Sequence, residues 1–108
     1  MTAKELSQLY YLKKEIEMDN QRLCKLKLLG DPLATECEKI IQVKIQKCNE
    51  ERVMLEQYIA TVPNSVVRQI LTYRFIDNFS WQRIALKIGG NNTADGVRQI
   101  CKRYIKNN

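Results

Sequence analysis

The sequence predicts an all-α chain: an N-terminal antiparallel helical hairpin followed by a three-helix domain whose last two helices flank a glycine-bearing turn. Three observations predict it. Apolar residues recur at intervals of three and four through nearly the whole chain, the spacing of one helical face. Only two prolines and four glycines occur among 108 residues, and each lies near an expected break. Residues that cap helices stand at those breaks as well. The length is that of one small domain, which excludes a second large core.

The first helix is predicted over about Lys4 to Leu29, with Leu6, Leu9, Leu12, Ile16, Leu23 and Leu26 on one broad face and Gly30 as its stop. The tripeptide GDP, residues 30–32, reads as a turn. A second helix is expected from about Thr35 to Thr61. There Ile41, Ile45, Cys48, Arg52, Leu55, Ile59 and Val62 alternate by four and three, a short heptad seam of coiled-coil type. So short a connection lets the two helices pair antiparallel, and a two-helix hairpin leaves apolar surface for a further partner. Residues 1–62 are therefore the hairpin and a candidate oligomerisation region.

Pro63 biases Val62 away from helix and opens the next segment. A third helix, about Asn64 to Ile76, buries Val67, Ile70, Leu71 and Phe75. After the turn DNFS, Ser80 caps a fourth helix whose inner stripe is Trp81, Ile84, Ala85 and Ile88. Trp81 reads as a core anchor rather than a base-stacking platform. Gly89 is expected to close that helix in a left-handed conformation, and Thr93 to cap the last one. Val97, Ile100, Cys101 and Tyr104 are the buried stripe of this last helix.

Charge is distributed unevenly. Residues 1–62 balance ten cations with ten acids, whereas residues 63–108 carry Arg68, Arg74, Arg83, Lys87, Arg98, Lys102, Arg103 and Lys106 against Asp77 and Asp95. The whole net charge of +6 belongs to the C-terminal part. A polyanionic partner is expected there, nucleic acid rather than membrane, since a membrane-surface segment needs a large apolar face beside its cations. No apolar run approaches a membrane span and no signal-peptide core follows Met1, so a soluble, cytoplasmic protein is expected. Cys24, Cys37, Cys48 and Cys101 form no Cys-x-x-Cys pair, and there is no histidine. Reduced, packed cysteines and no metal are expected. Neither a catalytic constellation nor a cofactor motif is present: no phosphate-cradling glycine loop, no carboxylate cluster in the basic half, no base beside a thiol.

The segments SWQRIALKI and TADGVRQICKRYIK have the layout of a helix-turn-helix. Ala85 lets the two backbones approach, and Ile84, Ile88, Val97 and Ile100 fill the wedge between them. Braced in this way, the free face of the last helix can enter a major groove, with Asp95, Arg98, Gln99 and Lys102 toward the bases. The motif ILTYRF, the Ser-capped helix bearing Ile84 and Ala85, and above all VRQI at 97–100 with basic residues after it resemble region 4 of bacterial sigma factors. The wider pattern is similar to small phage and prophage regulators with sigma-region-4-like domains, the ArpU- and RinA-like group, over about residues 35–106.

The resemblance implies base readout from Ala94, Asp95, Arg98 and Gln99, with Lys102 one turn further on. It pairs Arg98 with guanine and Gln99 with adenine, while Asp95 accepts from cytosine or orients Arg98. Arg83, Lys87, Thr93, Arg103 and Lys106 would hold the DNA backbone. Two departures stand out: Ala94 replaces a larger polar or basic residue, and the GGNN turn is longer than that of sigma region 4. Other readings stay open. Arg98 can simply pair with Asp95, and Arg74 can pair with Asp77 instead of a phosphate. The expectation is a sequence-selective transcriptional regulator binding double-stranded DNA, with residues 63–108 as the reader. The partners it admits besides DNA are RNA polymerase and a second copy through the N-terminal helices. Its alternatives are a small terminase-like packaging adaptor and a module that contacts RNA polymerase without reading DNA.

Overall fold

The computed structural model describes residues 1–30 and 32–107, and among them there are helices and no strands. The helices are α1 (Ala3–Leu29), α2 (Pro32–Ala60), α3 (Ser65–Leu71), a π-helical turn (Thr72–Ile76), α4 (Trp81–Ile88) and α5 (Ala94–Asn107). The all-α class and the order of elements agree with the sequence reading. The chain divides into two compact units, Tyr11–Met54 and a second made of Met1–Tyr10 with Leu55–Asn108. The boundary expected at residue 62 thus falls inside the second unit.

In the first unit, α1 and α2 run antiparallel as a hairpin. Lys44 Nζ lies 3.4 Å from Glu15 Oε2 and 3.2 Å from Asp19 Oδ2, while the Cys48 thiol donates to Glu15 Oε2 at 3.6 Å. As one helix ascends the other descends. Gly30, at φ 63°, ends α1, and Pro32 already opens α2, where its missing N–H costs nothing. Asp31, expected in this turn, lies outside the described residues. Leu12, Ile41 and Cys48 are buried on the seam, with Ile16, Leu23, Leu26 and Ile45 half-buried. Asp19 continues the same α1 stripe and is only 5% exposed, so the seam holds a carboxylate that the run of leucines did not announce. Lys44 offsets it from the half-exposed edge, and Asp19 beside it holds the Lys44 ammonium above its usual range. Met18, Ile40 and Val43 point outward.

The second unit begins with a capping arrangement. The Glu5 amide donates to the Thr2 hydroxyl at 3.1 Å, and that hydroxyl donates to the Glu5 carboxylate. Leu6 and Leu9 follow, both fully buried, and join Leu55, Ile59, Val62, Ile70, Leu71, Ile84 and Val97 in the core. At the end of α2, Arg68 donates to the Val62 carbonyl at 2.8 Å. Asn64 then caps α3 by accepting from the amides of Val66 and Val67. The helix expected to continue to Ile76 changes form instead: the Asp77 amide reaches back to the Thr72 carbonyl, a π-type bond. Hydrophobic spacing cannot distinguish one extra residue per turn over so short a stretch.

Candidate nucleic-acid interface

The turn before α4 is closed by its own aromatic and cationic side chains. Asn78 takes φ 57°, a conformation asparagine tolerates better than most residues, and the Phe79 amide bonds the Tyr73 carbonyl at 3.0 Å. The rings of Tyr73 and Phe79 stack with centroids 5.6 Å apart. Arg74 donates through Nη1 to the Phe79 carbonyl at 3.1 Å and lies 4.4 Å over the Trp81 ring. These contacts, rather than one to Asp77, occupy Arg74. Trp81 is half-buried, with the Arg74 guanidinium over its ring. Ser80 caps α4 by accepting from the Arg83 amide at 3.2 Å, as expected.

Between α4 and α5 the chain makes a sharp turn. Gly89 donates its amide to the Ala85 carbonyl at 3.1 Å but has φ 80° and ψ −166°. The expected left-handed closure is therefore corrected: positive φ is present, but ψ is extended, a combination open essentially only to glycine. Extended ψ takes the chain straight out of the helix, and the rest of the GGNN turn brings it back to α5. Asn92 donates to the Gly89 carbonyl at 2.7 Å, fixing the loop. Thr93 then caps α5, its hydroxyl accepting from the Gly96 amide at 3.0 Å while its carbonyl takes the Val97 amide. Gly96 leaves room for this, because a Cβ there would stand 3.1 Å from the Thr93 hydroxyl.

On α5, Val97 and Cys101 are buried and Ile100, Tyr104 and Ile105 half-buried, so one side of the helix faces the core. Burial pushes the Cys101 thiol up to about 11, which leaves it protonated and apolar at neutral pH. With about 100° between successive residues, Asp95, Gln99, Lys102, Arg103 and Lys106 share the opposite arc, and all five are exposed. Arg98 stands at the margin of that arc. Its Nη2 lies 2.8 Å from Asp95 Oδ1, and its side chain is 41% exposed. The intrahelical pair admitted by the i, i+3 spacing is thus formed, worth only a few tenths of a kcal/mol in such a setting. Ala94 is half-buried at the helix start and offers only a methyl group.

Arg83 and Lys87 lie one turn apart on the exposed side of α4, and the Arg83 guanidinium is seated 3.8 Å over the Phe79 ring. This orders Arg83 without neutralising it. The structure therefore brings Asp95, Gln99, Lys102, Arg103 and Lys106 together on α5, sets Arg98 at their edge and holds Thr93 in the cap. Arg68 and Arg74 are diverted to backbone carbonyls. Sequence reasoning missed Ala3 and Ser7, which line a groove with Arg98 and Lys102. No local signal links them, since they come from the opposite end of the chain.

No protein-family model matches this chain, and neither a curated protein nor a solved structure matches it significantly.

Proposed function

We propose that this chain is a sequence-selective DNA-binding transcriptional regulator of phage or prophage type, in which α5 lies in the major groove. The observation that carries the reading is the division of α5 into a buried apolar side and an outward arc of Asp95, Gln99, Lys102, Arg103 and Lys106. A helix of this diameter fits that groove, and glutamine and arginine are the side chains that pair with adenine and guanine edges. Thr93 and the free amides at the start of α5 meet a phosphate, helped by the helix dipole. Arg83, Lys87, Lys102, Arg103 and Lys106, all exposed, supply the ionic contacts. If they neutralise about five phosphates, log K falls with log salt at a slope near −4 to −5.

The hairpin supplies contact with a second copy, for which exposed Met18, Ile40 and Val43 provide apolar surface. Selection of bound fragments from random duplex DNA, run beside a mass measurement in solution, tests both parts. A reproducible recognition sequence and a monomer or dimer are expected. Retention of every duplex alike would refute base readout, and a ring of many copies would point to a packaging adaptor.

A further inference from the structure

A second feature of the same unit has a chemistry of its own. The first turns of α1 and the inner edge of α5 enclose a groove of about 390 Å³, within the roughly 300–1,000 Å³ typical of small-molecule sites. Ala3 and Ser7 form part of one wall, and Phe75, Trp81 and Ile105 give it apolar and aromatic lining. Arg74, Arg98, Lys102 and Lys106 also line it, and among the described residues no acidic side chain does. Grooves elsewhere on the molecule carry Glu17, Glu50 or Glu56 in their walls. Arg74 is committed to Phe79 and Trp81, but Lys102 and Lys106 have no ion-pair partner among the described residues.

We infer that this groove binds a small aromatic carboxylate, its ring on Trp81 and Phe75 and its carboxylate on Lys102 and Arg98. An aromatic body matches the lining because ring edges and faces attract one another in offset or edge-on arrangements. The carboxylate matches these cations: Lys102 has no ion-pair partner among the described residues, and the Arg98 guanidinium, engaged by Asp95 through Nη2, keeps further N–H donors for it. A duplex phosphate satisfies only the second requirement, since it carries no ring to meet the aromatic lining. Occupancy also has a consequence that rests on the DNA-reading proposal. Arg98 and Lys102 belong to both sites, so a bound carboxylate withdraws them from the bases and weakens duplex binding.

Phenylbutyrate is the probe, phenylbutanol its neutral match, and the fluorescence of Trp81, the single tryptophan, together with calorimetry, the readout. Saturable binding of phenylbutyrate is expected, about tenfold tighter than the alcohol, as one charge-assisted contact supplies. Ser7→Phe, at an exposed position outside the DNA-contacting set, fills the groove and abolishes binding of both compounds. Lys102→Ala removes the preference for the acid, and circular dichroism checks that each variant is folded. Equal affinity for acid and alcohol, no saturable binding, or binding undiminished by both substitutions would overturn the site. Titration of duplex with phenylbutyrate present is read separately. Lower duplex affinity in wild type but not in Ser7→Phe supports the coupling. Unchanged affinity overturns it, while phenylbutyrate binding without any duplex binding refutes the DNA reading alone.

Discussion

Replacing Arg74 with leucine removes both contacts through which this side chain closes the turn between α3 and α4. Its Nη1 donates to the Phe79 carbonyl at 3.1 Å, and its guanidinium carbon is 4.4 Å from the Trp81 ring centroid. Loss of the first leaves a part-buried carbonyl without that donor, at a cost of about 1–3 kcal/mol. Loss of the second costs about 0.5–1 kcal/mol at a site that is not fully dry. The two share one turn and do not simply add, so a destabilisation of roughly 2–3 kcal/mol is expected. Urea unfolding followed by circular dichroism measures it. Arg74→Lys keeps the charge but lacks the planar fork, and should lose most of the same stability. The salt dependence of duplex binding supplies the second readout. Arg74 is held in this turn by Phe79 and Trp81 and is not among the proposed phosphate contacts, so the slope of log K against log salt should not change. Unaltered stability with a slope shallower by about 0.9 would refute this assignment and make Arg74 a phosphate contact.

Thr93→Ala removes the oxygen that accepts from the Gly96 amide at 3.0 Å; a loss of about 1 kcal/mol in urea unfolding is expected. Asp19→Leu replaces a carboxylate that is 5% exposed in the hairpin seam while leaving Lys44 half-exposed; unfolding should show neutral to higher stability, by up to about 1–2 kcal/mol. The buried Cys101 thiol has its pKa raised from 9.0 to about 11, so between those values the native state keeps a proton that the unfolded chain has lost. Stability therefore falls as pH rises through that window, by at most about 1.4 kcal/mol per unit from this group, and is not lost below it. Cys48, also raised by burial, adds in the same direction. In Cys101→Ala, alkaline unfolding curves should have a shallower pH slope than in the parent.

The stripes of apolar residues made the helices legible because burial is what selects them. Val97 and Cys101 fall on the core side of α5, and Ile84 and Ala85 on that of α4. The caps at Ser80 and Thr93 were legible for a local reason: a short hydroxyl side chain just before an apolar period satisfies the first free amides. Thr2 and Glu5 carry the same kind of signal, Thr-x-x-Glu, and it places the start of α1 one residue before the expected Lys4. The π-helical turn was not legible, because apolar spacing does not report which carbonyl each amide selects over one turn. The Thr72 hydroxyl donates to the Arg68 carbonyl at 2.8 Å, within the stretch where helical bonding changes register. Asp19 was hidden for a different reason. Its pairing with Lys44 joins residues 25 apart, and no periodicity reports the partner. For the same reason, charge alone could not sort the cations. Arg68 and Arg74 count equally with Lys102 in composition, yet each is bonded to a backbone carbonyl.

If the outward arc of α5 discriminates bases, Gln99, exposed on that arc, is the side chain whose loss should show it. Recognition profiles selected from random duplexes should be obtained in parallel for the parent and for Gln99→Ala. The substitution is expected to erase preference at one base pair, by about 1–3 kcal/mol of discrimination, and to leave the other positions intact. Two superimposable profiles, or two without preference anywhere, would contradict base readout by that arc.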